Sequence, residues 1–158
     1  MKLLLHTCCA PCSIYCIEHL KALNISPTIY WYNPNIEPYE EYEKRKDTLQ
    51  EHVKKIDIDA VFDDDTNSLD SKNCYECYRI RLDKTAKYAK ENDYNAFTTT
   101  LLISPYQNHE LLKQLGEEMA EKYSIQFLYA DFREGFRTRT SYCKRTRFVY
   151  AEVLWMQK

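Results

Sequence analysis

Seven cysteines stand in a chain of 158 residues, and five of them form two clusters: Cys8-Cys9-Ala10-Pro11-Cys12 near the start and Cys74-Tyr75-Glu76-Cys77 in the middle. A Cys-x-x-Cys pair at the start of a helix can aim both sulfurs at one centre, and the helix N-terminus favours the thiolate form. Thiolates are the ligands of tetrahedral zinc and of iron–sulfur clusters, and spacing alone separates the two poorly. The adjacency of Cys8 and Cys9 leans toward a cluster. Two neighbouring sulfurs meet two irons of a cube more easily than two corners of one small tetrahedron. Cys12 faces the same turn or the core with equal reason, Cys16 reads as a packed core thiol, and Cys143 stands alone. His6 reads as a hydrogen-bonded core histidine. His19, His52 and His109 fall in helical stretches and read as surface residues.

The elements around these residues alternate. Leu3-Leu4-Leu5-His6 is a short apolar run that predicts a buried first strand, and Pro11 suits the first turn of a helix carrying Ile14, Ile17, Leu20 and Leu23 on one stripe. Thr28 to Tyr32 predicts a second strand, closed by Asn33-Pro34-Asn35; Tyr39, Tyr42, Leu49, Val53 and Ile56 keep helical spacing; Ala60-Val61-Phe62 is a third strand. Cys74 to Lys90 reads as helix and Asn95 to Thr99 as a fourth strand. Ser104-Pro105-Tyr106-Gln107 has the form of a helix start with Ser as cap, and Ile125 to Tyr129 is a fifth strand. Strands alternating with helices predict a single α/β domain over 1–158: three layers, a mostly parallel sheet, helices on both faces, Rossmann-like. In such a sheet ligands gather at the carboxyl ends of the strands. The loops at about 6–13 and 70–78 would then share one rim.

Only two glycines occur, Gly116 and Gly135. A Walker A loop and a G-x-G-x-x-G fingerprint are therefore absent, and with them the expectation of a nucleotide cofactor. The fold expected is of the PP-loop or HUP kind without its nucleotide loop: Cys8-Cys9-Ala10-Pro11 occupies the place where ATP-using tRNA-modifying enzymes carry Ser-Gly-Gly. No apolar run approaches the roughly 18 residues that span a bilayer, so no membrane partner is expected. The start is too short for a signal peptide, and the cysteine usage suits a reducing, cytoplasmic compartment. Net charge is −2, but Arg133, Arg137, Arg139, Lys144, Arg145 and Arg147 make a basic stripe suited to a phosphate backbone, although a solvated charge run explains it as well. Aromatics beside arginines, as in Tyr78-Arg79-Ile80-Arg81 and Phe132-Arg133, are candidates for stacking on the bases of an RNA loop, though packing accounts for most of the 14 tyrosines.

Several motifs in order resemble one family. Leu5-His6-Thr7-Cys8-Cys9-Ala10-Pro11-Cys12-Ser13, then Trp31-Tyr32-Asn33-Pro34-Asn35-Ile36-Glu37-Pro38 with Glu41-Tyr42 and Arg45, are similar to the QueH-type epoxyqueuosine reductases. So are Cys74-Tyr75-Glu76-Cys77-Tyr78-Arg79-Ile80-Arg81-Leu82 with Thr85-Ala86, the run from Phe97 to Asn108, and Asp131-Phe132-Arg133-Glu134-Gly135-Phe136. The resemblance implies reduction of the epoxide of epoxyqueuosine in the tRNA anticodon to queuosine. It implies a [4Fe–4S] cluster on Cys8, Cys9, Cys74 and Cys77, no cobalamin, and electrons from an external donor. It also leaves room for an additional iron through Cys12 or His6.

The tail departs from the pattern. Residues 138–158 are basic and carry one cysteine, Cys143, where family members have a Cys-Gly-Cys pair, so the tail reads as divergent or truncated and slow turnover is expected. The competing readings are a structural zinc module that binds RNA without catalysis, and a metal-free dithiol oxidoreductase working through Cys74 and Cys77.

Overall fold

A computed structural model of the chain describes residues 1–8, 10–34, 39–64 and 74–136, the Cys74 side chain excepted. Five strands, β1 (Leu3–His6), β2 (Thr28–Trp31), β3 (Ala60–Phe62), β4 (Ala96–Thr99) and β5 (Gln126–Phe127), form one sheet in the order β3-β2-β1-β4-β5. Every pairing is parallel. Parallel strands need helical crossovers, and the helices are α1 (Ala10–Ala22), α2 (Tyr39–Ile56), α3 (Cys74–Glu91) and α4 (His109–Tyr123). α1 packs against α2, and α3 against α4, so two helical layers enclose the sheet. This is the three-layer Rossmann-like arrangement that the alternation predicted. No helix of the described residues is long and apolar enough to cross a membrane.

β1 lies in the middle, and all four of its residues are buried. A strand covered on both faces must be apolar throughout, which is why Leu3, Leu4 and Leu5 run without alternation. Trp31, Tyr30, Phe97 and Phe132 complete the core at 0% exposure. The Trp31 indole donates to the Tyr42 hydroxyl (3.0 Å), which in turn donates to Asp64 (2.8 Å), so the largest side chain carries its polar atom to the surface through a chain of bonds.

Among the described residues the four helices end alike, without glycine. Asn24, Asp57, Asp93 and Ser124 each adopt a left-handed φ between 53° and 63° just past a helix. The amide of the next residue then bonds back across the last turn: Ile25 to Leu20, Ile58 to Val53, Tyr94 to Ala89 and Ile125 to Ala120, at 2.9–3.1 Å. This is the Schellman closure, with an apolar residue after the cap, built on Asn, Asp and Ser in a glycine-poor chain.

Several expectations need correction. α4 begins at His109 with Asn108 as its cap, not at Ser104. The Ser104 hydroxyl accepts from the Tyr106 amide instead, and the Gln107 carboxamide oxygen is taken by the Tyr78 hydroxyl, so neither half of the expected capping box is available. A 3₁₀ turn, Thr100–Ile103, intervenes. β5 starts one residue later than expected because the Ile125 amide belongs to the closure of α4, and it ends at Phe127 rather than Tyr129. Leu23 lies beyond α1 and is 56% exposed. His52 is buried, and its desolvation, followed by the neighbouring Lys55 charge, lowers its pKa to about 4. His19 is half-buried and meets the Phe132 ring edge-on at 5.3 Å, while half-buried His109 bonds the Ser104 carbonyl (2.9 Å).

A left-handed serine is strained relative to glycine. Ser124→Gly is expected to stabilise the chain by about 0.5–1 kcal/mol, seen as a higher denaturant midpoint at unchanged slope. A lower midpoint would show that the Ser124 cap contributes something other than backbone geometry.

Candidate functional site

Strand order reverses direction between β1 and β4, and in an open parallel sheet the crevice beyond that switch point is where ligands bind. The first cysteine turn emerges there. His6 is in register with Thr99 on one side and Tyr30 on the other, and the Thr7 amide continues the ladder to the Tyr30 carbonyl at 3.0 Å. Beyond it the Cys8 amide donates to the Thr100 hydroxyl (3.3 Å), which lies 3.6 Å from the Cys8 sulfur. Cys8 is 5% exposed, so its turn is nearly closed to solvent. The 3₁₀ turn holds Thr100 in place, because the Thr99 hydroxyl caps it by accepting from the Leu101 amide (3.1 Å).

His6 is fully buried and has both ring nitrogens engaged. Nε2 lies 3.1 Å from the Tyr32 carbonyl oxygen, which can only accept, so Nε2 carries the proton. Nδ1 therefore accepts from the Thr99 hydroxyl at 2.9 Å. Burial, then the positive charge of Arg81, lowers the His6 pKa to about 4, and the ring is neutral near pH 7. It ties the ends of β1, β2 and β4 together, as a core histidine would.

The second cysteine turn is the start of α3, where first-turn amides and the helix dipole favour negative charge. Cys77 is half-buried. One helical turn later, the Arg81 guanidinium donates to the Cys77 carbonyl (3.1 Å) and to the Asn33 side-chain oxygen (3.4 Å), and the Asn33 amide donates to the Thr7 carbonyl (2.9 Å). Three hydrogen bonds thus connect the backbone beside Cys77 to the residue before Cys8. On the other flank the Tyr78 hydroxyl donates to Gln107 and accepts from the Asn108 amide (3.2 Å). The start of α3 is fastened to the loops after β1, β2 and β4.

Of the expected site residues, Cys8 and Cys77 are described, the Cys74 backbone opens α3, and Cys9 and the Cys74 side chain lie outside the described residues. Among the described residues no three Cys, His, Asp or Glu side chains form a metal-binding group. Cys12 is buried on α1, and fully buried Cys16 is held protonated by its desolvation and the nearby Cys8. Residues 70–73 of the loop at about 70–78 and the whole tail 138–158, with Cys143, also lie outside the described residues. Arg133, at the head of the basic stripe, is paired with Asp131 (2.6 Å). The expected base-stacking aromatics Tyr78 and Phe132 are 5% and 0% exposed, so they pack in the core instead. Arg81 turns inward to Asn33 and the Cys77 carbonyl rather than outward to RNA. Its i, i+4 spacing from Cys77, with Asn33 at the end of a strand, was the signal that could have marked both as parts of the site.

A Rossmann-like α/β domain with a thiol-bearing turn at its switch point defines the class. The chain belongs to the family described as epoxyqueuosine reductase QueH, whose family model matches residues 3–152. It is 31% identical over 145 residues to the epoxyqueuosine reductase QueH of Dehalococcoides mccartyi, covering 85% of this chain and 79% of that protein. It is 36% identical over 168 residues to the protein of that name from Histophilus somni, covering 96% and 69%, and 31% identical over 148 residues to that of Thermotoga maritima, covering 84% and 75%. The family match runs into the stretch from 138 on.

The His6 geometry is directly measurable. Nitrogen NMR of the ring is expected to show the neutral Nε2–H form at pH 6, and Thr99→Val, which removes the hydroxyl that Nδ1 accepts from, is expected to cost about 1–3 kcal/mol. A ring protonated at Nδ1, or a Thr99→Val chain as stable as the parent, would contradict the assignment.

Proposed function

We propose that this chain reduces the epoxide of epoxyqueuosine in the tRNA anticodon to queuosine, using a [4Fe–4S] cluster held by Cys8, Cys9, Cys74 and Cys77. The observation that carries this reading is the hydrogen-bonded chain from the Cys77 carbonyl through Arg81 and Asn33 to Thr7, which ties the two cysteine turns to one rim of the sheet. Family membership supplies the substrate: relatives over most of the chain bear the name epoxyqueuosine reductase.

The donor chemistry fits such a group. Cys8 and Cys77 offer soft sulfur, the helix N-terminus at Cys74–Cys77 favours thiolates, and a cationic guanidinium lies alongside. The cluster, when bound, would supply electrons singly from an external donor at low potential. Removing the epoxide oxygen as water consumes two electrons and two protons. The remaining tasks fall to the chain's own residues. The burial of Cys8 keeps its turn nearly closed to solvent, and Thr100 holds that turn through its hydroxyl. His6 keeps its proton on Nε2 against the Tyr32 carbonyl and so serves as a brace rather than an acid. An additional iron, if it joined through His6, would have to displace the Thr99 hydroxyl from Nδ1; Cys12, buried on α1, is the other candidate. A cytoplasmic setting completes the reading.

The test is anaerobic purification followed by iron and sulfide analysis, then incubation with epoxyqueuosine-containing tRNA and a low-potential chemical donor. The parent is expected to be brown, with about four irons and four sulfides per chain. Its nucleoside product should be one oxygen lighter by mass spectrometry, while Cys8→Ser and Cys77→Ser each lose iron and product together. A colourless chain holding one zinc would favour the structural module, and product formed without any metal would favour the dithiol mechanism.

A further inference from the structure

Four arginines lie among the described residues, and one of them is bonded differently. Arg45 pairs with Glu41 at 2.8 Å, Arg79 with Glu76 at 2.9 Å and Arg133 with Asp131 at 2.6 Å. Arg81 has no carboxylate partner among the described residues. Its two hydrogen bonds go to neutral acceptors, the Cys77 carbonyl and the Asn33 side chain. It is half-buried. A guanidinium withdrawn from water without a counter-charge is costly, and proteins retain such a group where an anion offsets it.

We infer that Arg81 is a positioning and charge-balancing residue, whose positive charge serves the metal–thiolate group between the two cysteine turns; this rests on the cluster reading above. Its two roles are separable. As a fork it binds two turns at once: one nitrogen to the carbonyl of Cys77, another to Asn33, which in turn holds the carbonyl of Thr7 beside Cys8. As a charge it compensates sulfur ligands. A [4Fe–4S] core with four thiolates carries net negative charge, and that charge grows by one when an external donor delivers an electron. A fixed cation alongside therefore stabilises the reduced state more than the oxidised one, and raises the potential. Lysine supplies the charge but not the planar fork, so it should rescue the second role and not the first.

The measurement uses the full chain, reconstituted anaerobically with iron and sulfide. Iron retained after desalting in the presence of a chelator is compared with the midpoint potential from a dithionite titration followed by electron paramagnetic resonance. Arg81→Gln is expected to retain iron about tenfold less well and to have a more negative midpoint potential. Arg81→Lys is expected to keep a potential near the parent's while still retaining iron poorly. Far-ultraviolet circular dichroism confirms that each variant is folded. Asn33→Ala, which leaves the charge and cuts the link to Thr7, should behave like Arg81→Lys and keeps the idea testable if Arg81→Gln does not fold. A parent that loads iron, with Arg81→Gln or Asn33→Ala indistinguishable from it in retention and potential, would overturn the role of Arg81 alone. A parent that takes up no cluster would overturn the cluster reading and, with it, this inference.

Discussion

Everything distinctive about this chain depends on where β1 sits. Four residues buried on both faces, flanked by β2 and β4 in parallel, bring the first cysteine turn out at the switch point of the sheet. An edge strand would have left Cys8 beside solvent. From the central position its sulfur is enclosed by the loop after β4, and the crossover from β3 through α3 to β4 returns the second cysteine turn toward the same rim. Hydrophobic burial of Leu3, Leu4 and Leu5 thus places a polar, sulfur-bearing loop that it does not itself contain.

Rigidity at that rim comes from neutral hydrogen bonds more than from ion pairs. His6 binds three strand ends with one ring, and its burial keeps it uncharged. Thr99 and Thr100 hold the 3₁₀ turn and the Cys8 amide, and Asn33 reaches across to Thr7. Each bond has a buried acceptor or donor that would go unsatisfied without its partner, so the loss of one costs more than its formation contributes. A site braced in this way can present thiolates without enlisting carboxylates that would repel them.

Much of this was legible in the residues. The apolar run of β1, the helical spacing from Tyr42 to Ile56, and the alternation of strands with helices led directly to a parallel three-layer fold, because periodicity reports burial. Helix boundaries were less legible: Ser104-Pro105-Tyr106-Gln107 has the form of a cap, but a bond from distant Tyr78 captures Gln107 and Asn108 caps the helix instead. Long-range partners of that kind leave no local trace. The same holds for His52, whose helical stretch looks solvated until the packing around it is known, and for Arg81, whose neighbours in sequence suggested RNA. The four helix closures do leave a local trace: Asn24, Asp57, Asp93 and Ser124 are each followed by an apolar residue.

The central claim is that Cys8 and Cys77 serve a single metal group. An anomalous difference map at the iron edge, from crystals grown without oxygen, tests it most directly. The account predicts one compact cluster of iron density, with a separate iron about 2.3 Å from each of the two sulfurs and the Arg81 guanidinium alongside. Two ordered cysteine turns whose sulfurs lie too far apart to share any peak would contradict it.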